Sequence, residues 1–126
     1  SIAGLEFLCG VPGTIGGAVR MNAGAYGSDI SQVLVEAEIV GRDGTLCTLT
    51  NKELGFVYRN SNLPQGAVVT RAVLQGQAGN AEAIRAKMQE ISDAREATQP
   101  IRTRTGGSTF KNPEGYKAWE LIDRTG

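Results

Sequence analysis

Length, composition and charge limit what this chain can do. It has 126 residues, of which 40% are hydrophobic and 21% charged, which is enough for one domain or for parts of two small ones. Thirteen basic and thirteen acidic residues give a formal net charge of zero, so no global field favours nucleic acid or a membrane surface as a partner. Because histidine is absent, we expect no metal site and assign acid–base chemistry to carboxylates, hydroxyls, lysine or a cofactor.

The cysteines and the chain ends indicate the context of the protein. Cys9 and Cys47 stand alone without metal-ligand spacing, and we interpret them as reduced, partly buried thiols of a cytoplasmic protein. The sequence starts at Ser1 without methionine and stops at Gly126, directly after an apolar, helix-like stretch. We therefore expect an internal piece of a longer protein.

The first half of the chain predicts short helices around a β-hairpin. Ser1 can cap a short helix that runs through Leu8 and stops at Gly10. Residues 33–40 alternate as a strand, and residues 45–49 form its hairpin partner after a tight turn. The apolar face of the first strand is predicted to consist of Val35, Ala37 and Ile39.

A capping box and a second strand follow the hairpin. Thr50 and Glu53 have the spacing of a capping box, which opens one or two helical turns ended by Gly55. Residues 56–61 are predicted as a loop or bent strand, and the apolar residues 67–74 as a strand.

One long helix dominates the second half. Asn80 is its predicted cap, and the helix covers residues 81–97 before the chain breaks at Pro100. Its apolar stripe consists of Ile84, Met88 and Ile91, with Met88 placed in the core. A last helix is predicted over residues 116–123, with inward side chains from Ala118, Trp119 and Ile122.

The order of these elements predicts the fold class and a domain boundary. Strands and helices follow one another without a regular βαβ rhythm, which favours an α+β fold over a doubly wound sheet. Residues 98–107 form a polar linker. We place the boundary there, with one domain over residues 1–100 and the start of a second over residues 101–126.

A dense glycine run carries the strongest functional signal. Six glycines fall within the eighteen residues 10–27, and such a run lets backbone N–H groups approach a flat or phosphate-bearing ligand closely. Neither the dinucleotide fingerprint nor the P-loop pattern fits this spacing. The small apolar residues suit an aromatic ring system with a diphosphate. A tightly wound structural loop packed under a sheet is the alternative.

Two further segments could carry chemistry. Residues 58–61 place an arginine, whose planar fork matches a carboxylate or phosphate, beside a phenol, an amide and a hydroxyl. Residues 106–113 place Ser108 after two glycines, with donors from Lys111 and Asn112 nearby. An exposed loop arginine and a solvated basic linker are the corresponding structural alternatives.

The three segments together resemble a known family. The motifs are PGTIGGAV at 12–19 with MNAGAYG at 21–27, YRNS at 58–61 and GSTFKNP at 107–113. In this order and spacing they resemble the MurB family of UDP-N-acetylenolpyruvoylglucosamine reductases, over essentially the whole chain.

The resemblance implies a flavoenzyme with the vanillyl-alcohol-oxidase/PCMH-like FAD-binding fold, followed by the start of an α+β substrate-binding domain. NADPH would reduce FAD, and the flavin would deliver a hydride to UDP-N-acetylglucosamine enolpyruvate, giving UDP-N-acetylmuramate for peptidoglycan synthesis. No obligate protein partner is expected. The family's N-terminal FAD-binding segment and a C-terminal part with a catalytic glutamate lie outside this sequence, so the piece alone is expected to be inactive.

The resemblance also assigns roles to individual residues. Arg59 would hold and polarise the substrate carboxylate, and Ser108 would protonate the neighbouring carbon. Further substrate contacts are expected from Tyr58, Lys111 and Asn112. The expected FAD contacts, largely through the backbone, are Gly13, Thr14, Ile15, Gly16, Gly17, Asn22, Ala23, Gly24 and Gly27. Two alternatives remain: an FAD-dependent oxidoreductase of the same fold with another substrate, and a non-catalytic nucleotide-binding module.

Overall fold

The structure, a computed structural model, describes residues 1–99, 102–104 and 109–126. The chain is α+β, as the sequence predicted. Its strands are β1 (Ile2–Ala3), β2 (Gly24–Ala25), β3 (Ser28–Asp29), β4 (Leu34–Val40), β5 (Leu46–Thr50), β6 (Val68–Leu74) and β7 (Gln77–Ala78). Its α-helices are α1 (Ile15–Met21), α2 (Asn51–Leu54), α3 (Ala81–Thr98) and α4 (Ala118–Arg124), with short 3₁₀ helices at Glu6–Leu8 and Ile30–Gln32.

A three-stranded antiparallel sheet in the order β5-β4-β6 forms the centre of the fold. The predicted hairpin of β4 and β5 is confirmed, and the sheet buries the alternate residues Ala37 and Ile39. Val35 differs from its prediction because the register of β4 against β6 shifts between Leu34 and Glu36. This bulge reverses the alternation locally, so that Leu34 is buried and Val35 is exposed.

The hydrophobic core lies between this sheet and α1. Helix α1 packs on β6, and the largest fully buried side chains of the core are Val19, Ile30 and Leu54. Burying each such side chain contributes about 1.5–3 kcal/mol to folding. The rest of the core cluster consists of Leu34, Ala37, Ile39, Leu63 and Ala67. The core therefore fixes α1 and the segment after α2, the two parts of the chain that carry the glycine run and Arg59.

The N-terminus differs from its prediction. Instead of a helix capped by Ser1, residues Ile2–Ala3 form β1 and pair antiparallel with β7. Gly76 contacts the Ile2 side chain so closely that a Cβ atom there would overlap it. Helical structure in this region is restricted to the single 3₁₀ turn at Glu6–Leu8.

The local helix signals are confirmed. Thr50 and Glu53 form the predicted capping box of α2, and Gly55 ends this helix in the left-handed conformation. The Asn80 side chain accepts hydrogen bonds from the first turn of α3, as predicted. The prediction that Met88 lies in the core is wrong, because its side chain is 41% exposed. The face of α3 that packs on the 3₁₀ turn and β1 is narrower than predicted, and Ile91 is the one side chain of this helix that is fully buried.

The C-terminal segment and one cysteine also differ from expectation. In α4, Trp119 and Ile122 were predicted inward but are 63% and 52% exposed, because the described residues do not cover this face. Cys9 is half-buried, whereas Cys47 is exposed at the edge strand β5 rather than partly buried. Within the described residues, no helix is both long enough and apolar enough to cross a membrane.

Candidate functional site

The glycine run folds into a loop, helix α1 and a small β2–β3 hairpin. Thr14 caps α1, and its hydroxyl accepts a hydrogen bond from the N–H of Gly17 at 3.1 Å. The helix ends at Asn22, which adopts the left-handed conformation with φ 47°. The N–H groups of the first helical turn point away from the helix body and have no intrahelical acceptor. Because Thr14 accepts the N–H of Gly17, the first-turn donors left for a ligand within the described structure are the N–H groups of Ile15 and Gly16.

The glycines and small residues of this run face two different environments. Five predicted cofactor residues are exposed along the loop, the start of α1 and the hairpin turn: Gly13, Thr14, Ile15, Gly17 and Gly27. A Cβ atom on Gly13 or Gly27 would meet nothing within 4 Å, and both residues have positive φ. Four others are partly or fully covered by protein: Gly16, Asn22, Ala23 and Gly24.

Two of the covered glycines are explained by packing within the fold. A Cβ on Gly16 would lie 3.4 Å from the Val69 Cβ on β6, so Gly16 sets how closely α1 approaches the sheet. A Cβ on Gly24 would lie 2.7 Å from the Asp29 Cβ and 3.1 Å from Nη1 of Arg59. Packing within the protein thus accounts for glycine at these two positions, whereas a Cβ on the exposed Gly13 or Gly27 would meet nothing within 4 Å.

The Asn22 side chain lies inside the fold and not on the exposed surface of the run. It is 3% exposed, and its amide bonds to protein atoms. Nδ2 donates to the Val57 carbonyl at 3.1 Å and to the Asp29 carboxylate at 3.3 Å, and Oδ1 accepts from the Ser31 N–H at 2.9 Å. Both amide protons of Asn22 are therefore engaged within the protein, and its cofactor contact, expected largely through the backbone, stays a prediction.

Arg59 lies on a tight turn beside the hairpin. The turn is closed by paired backbone hydrogen bonds between Val57 and Asn60, and Arg59 takes φ 55° within it. The guanidinium donates from Nη2 to the Gly24 carbonyl at 2.8 Å and lies 5.1 Å from the Tyr58 ring centroid. Of its five N–H donors, this is the one engaged within the described part of the chain. The others can bind an anion.

Left-handed backbone is concentrated at this place. Among the described residues, the non-glycine residues with positive φ are Asn22, Tyr26 and Arg59. All three belong to the hairpin, the end of α1 or the turn bonded to them. Such a conformation costs about 1 kcal/mol or more for a residue with a bulky side chain, and it occurs preferentially at functional sites. Glycine would adopt this conformation at residue 59 without that cost, which indicates that the arginine side chain has a role of its own.

Two residues that hold this turn were not predicted from the sequence. The Ser61 hydroxyl donates to the Arg20 carbonyl at 2.7 Å, and the Arg20 guanidinium donates to the Ala67 carbonyl at 2.6 Å. These bonds connect the end of the turn to α1 and to the start of β6. In the sequence, Arg20 was visible only as the single basic residue of the glycine run, which carries no signal for this contact.

The remaining predicted substrate residues lie in the C-terminal segment. Asn112 accepts a hydrogen bond from the N–H of Ala118 at 3.0 Å and so holds the start of α4. Lys111 lies at a concavity of about 510 Å³, whose other lining residues are Phe110, Pro113, Ala118, Leu121 and Ile122. Ser108 lies outside the described residues. Within the described chain, the hydrogen bonds and ion pairs of residues 109–126 stay inside that segment, so none joins Lys111 or Asn112 to Arg59.

The donor set of the described residues does not suit a metal ion. No group of three or more cysteine, aspartate or glutamate side chains is clustered there in a way that could hold one. The candidate site instead combines exposed glycine backbone with one arginine fork, and such donors suit an anionic, organic ligand.

Comparison with known proteins agrees with this geometry. A family described as an FAD binding domain matches residues 1–50, which include α1 and the hairpin. UDP-N-acetylenolpyruvoylglucosamine reductases from Gluconobacter oxydans and Novosphingobium aromaticivorans are 61% and 58% identical over 125 residues. Each match covers 99% of this chain, and the chain spans 41% and 42% of the two relatives, about two-fifths of their length.

A solved structure gives the same result for the fold. The crystal structure of UDP-N-acetylenolpyruvylglucosamine reductase (MurB) from Thermus caldophilus superimposes with a TM-score of 0.86 at 39% identity, covering 98% of this chain and 46% of that one. The sequence resemblance to this family is confirmed. Over the two-fifths of their length that it spans, the chain belongs to the MurB family of UDP-N-acetylenolpyruvoylglucosamine reductases.

Proposed function

We propose that this chain supplies part of the FAD site and part of the substrate site of an NADPH-dependent reductase. The reaction converts UDP-N-acetylglucosamine enolpyruvate to UDP-N-acetylmuramate, a step in peptidoglycan precursor synthesis. The single observation that carries the proposal is the placement of Arg59, a left-handed arginine with free donors that lies against the glycine-run hairpin. The family relationship supplies the identity of the reaction.

The exposed part of the glycine run fits a flat, anionic cofactor. Gly13 and Gly17 leave backbone uncovered at the start of α1, and Ile15 adds an apolar surface that is 48% exposed. Main-chain N–H groups at this end suit a phosphate, and the apolar surface suits a ring system. When bound, FAD supplies the redox chemistry by carrying a hydride from NADPH to the enolpyruvyl double bond.

Arg59 binds the carboxylate of the enolpyruvyl group. Hydride addition at one carbon of the double bond pushes electron density onto the other carbon and its carboxylate. A preorganised guanidinium next to that carboxylate stabilises the transition state more than the ground state. Only a donor held in place before the reaction does this without reorganisation, and the Gly24 carbonyl holds Arg59 in this way.

Ser108 delivers the proton that completes the addition, at the carbon next to the carboxylate. A serine hydroxyl is a very weak acid, so it serves only against a strongly basic, enolate-like carbon, and its proton is replaced through water. Tyr58, Lys111 and Asn112 complete the contacts to the substrate. Residues 101–126 then form the start of the substrate-binding domain, and residues 1–100 are part of the FAD-binding domain.

A flavin spectrum tests this function. Because the chain spans two-fifths of its relatives' length, the test protein is a chimaera in which this sequence replaces the matching 125-residue segment of the Gluconobacter oxydans reductase. NADPH should bleach the flavin absorbance without oxygen, and UDP-N-acetylglucosamine enolpyruvate should restore it. Bleaching without restoration would indicate an oxidoreductase with another substrate. A folded chimaera that binds no FAD would indicate a non-catalytic nucleotide-binding module.

A further inference from the structure

We propose that Asn22 is a positioning residue that holds the Arg59 guanidinium in place for the reaction, and that it does so from inside the fold. This inference rests on the proposed function, because it assigns Asn22 an effect on the half-reaction in which Arg59 acts. It concerns the side-chain amide alone, because the cofactor contact predicted from the sequence for this segment is made largely through the backbone.

The Asn22 amide bonds to three other residues of the fold. It joins the end of α1, where Asn22 lies, to Asp29 on β3, to the Ser31 N–H in the following 3₁₀ helix and to the Val57 carbonyl in the Arg59 turn. Both amide protons and one acceptor position of the carbonyl oxygen are used. A buried amide that is satisfied in this way fixes the relative position of the segments it joins.

These bonds control both ends of the hydrogen bond between Arg59 and Gly24. On the donor side, Val57 is the first residue of the closed turn that carries Arg59, and the Asn22 amide holds its carbonyl. On the acceptor side, Gly24 follows Asn22 by two residues in the chain, and its β2 strand pairs with the Asp29 strand that also bonds the amide. A change in the amide therefore moves donor and acceptor relative to each other.

Asparagine at residue 22 can serve either the left-handed backbone conformation or the side-chain hydrogen bonds, and a substitution can separate these two roles. The residue has φ 47° and its N–H caps α1 by bonding to Ala18 and Val19 carbonyls. Asparagine tolerates this left-handed conformation, but glycine adopts it at no steric cost. A glycine at residue 22 thus keeps the helix end and removes only the amide. This substitution isolates the positioning effect.

The test measures two half-reactions in the chimaera described above. With Asn22→Gly, reduction of the flavin by NADPH should remain within about twofold of the unsubstituted chimaera. Reoxidation by the enolpyruvyl substrate should slow at least about 10-fold, since small misplacements of a catalytic group have effects of this size. FAD affinity, measured by flavin fluorescence, should be unchanged.

A double-mutant cycle shows whether the effect passes through Arg59. In the Arg59→Ala background, Asn22→Gly should slow reoxidation by no more than about twofold, because the guanidinium that Asn22 positions is no longer present. The same 10-fold loss in both backgrounds would overturn the proposal, because it would show a general structural effect. So would normal reoxidation in the Asn22→Gly single variant.

Asn51→Ala is the matched control. The Asn51 amide also bridges two backbone carbonyls, those of Ser31 and Leu34, each at 2.7 Å, but its bonds do not reach the Arg59 turn. At a similar loss in thermal midpoint it should leave reoxidation within about twofold. Equal slowing by Asn51→Ala would mean that any loosening of this region suffices, and the proposal would fail.

A milder variant covers the case in which Asn22→Gly does not fold. Ser61→Ala removes the single hydrogen bond that ties the other end of the turn to the Arg20 carbonyl. It should show the same selective loss of reoxidation and the same dependence on Arg59. If Arg59→Ala itself leaves reoxidation unchanged, or the chimaera binds no FAD, the proposed function fails instead, and the two failures are thus distinguished.

Discussion

Arg59 and Gly24 are joined by a hydrogen bond of 2.8 Å from the guanidinium Nη2 to the carbonyl oxygen, although they lie 35 residues apart in the chain. The approach requires glycine, because a Cβ at residue 24 would stand 3.1 Å from Nη1 of the same guanidinium and 2.8 Å from the Ser28 carbonyl. Gly24, for which the sequence predicts a cofactor contact, therefore also holds the side chain for which we propose the substrate contact.

Gly24→Ala should disturb both stability and the placement of Arg59. Overpacking of this kind costs about 1–3 kcal/mol, and the displaced guanidinium should slow flavin reoxidation while NADPH-dependent reduction is spared. Thermal denaturation and rapid-mixing absorbance of the chimaera measure the two effects. Gly41→Ala is the control, since its Cβ would crowd Asp43 at 3.1 Å in the distant β4–β5 turn. Unchanged reoxidation in Gly24→Ala would show that the Arg59 contact is not needed.

Arg59→Lys should reduce kcat more than it changes KM. Lysine keeps the positive charge but loses the planar fork, so it cannot hold the Gly24 carbonyl and a carboxylate in the same plane. An interaction realised mainly in the transition state is lost as kcat, and we expect a decrease of about 10²-fold, as for the loss of one preorganised donor. Steady-state kinetics at saturating substrate measure it. A raised KM with unchanged kcat would reduce Arg59 to a binding contact.

The features that sequence predicted correctly are those decided within a few residues. The Thr50–Glu53 capping box, the Asn80 cap and the turn before β5 all depend on hydrogen bonds between near neighbours. The pairing of β1 with β7 joins segments that lie far apart in the chain, and no local pattern in Ile2–Ala3 indicates it. Helical preference at Ser1 was overridden by this distant partner.

The residue types of the candidate site stand out in the sequence, whereas the hydrogen bonds that connect them do not. The glycine run and Arg59 stand out in the sequence because their residue types are unusual in such a pattern. The bonds from the Asn22 amide to Val57 and from Arg59 to Gly24 each span 35 residues, and only the packing of α1 on β6 brings these segments together. Tertiary packing also decides burial: Met88 and Trp119 have the spacing of core residues in the sequence and are nevertheless exposed.

Gly17→Ala should change stability and FAD affinity in opposite directions. Gly17 lies in α1, where alanine stabilises a helix by about 0.5–1 kcal/mol relative to glycine, and its Cβ would meet only the Thr14 hydroxyl at 3.4 Å. The thermal midpoint of the FAD-free chimaera should therefore rise. If FAD lies against this exposed face, its affinity should fall, which fluorescence titration measures.

Gly16→Ala is the comparison for that experiment. Its Cβ would point at Val69 on β6, 3.4 Å away, and so into the protein. We expect an effect on stability without a selective loss of FAD affinity. Unchanged affinity in Gly17→Ala, or an equal loss in both variants, would contradict the placement of the cofactor on the exposed face of α1.

The capping box of α2 should make stability depend on pH in the acid range. Hydrogen bonds from the Thr50 N–H and hydroxyl lower the pKa of Glu53 below its ordinary value. The stabilisation is therefore fully present above the ordinary pKa of glutamate and is lost as the pH falls through the lowered pKa of the folded state. The difference in thermal midpoint between the chimaera and its Glu53→Gln variant should shrink as the pH is lowered. A difference that stays constant would show that the charged form is not the one bonded.

Ser108→Ala should separate the two half-reactions most clearly. Hydride transfer from NADPH needs no proton from Ser108, so reduction of the flavin should remain nearly normal in the chimaera. Reoxidation by the enolpyruvyl substrate should slow by at least about 10²-fold, the lower end for a positioned general acid. Ser108→Cys should recover part of this rate, because a thiol can also donate a proton. Equal slowing of both half-reactions would indicate that the serine only shapes its turn, and near-normal reoxidation in the alanine variant would exclude it as the proton donor.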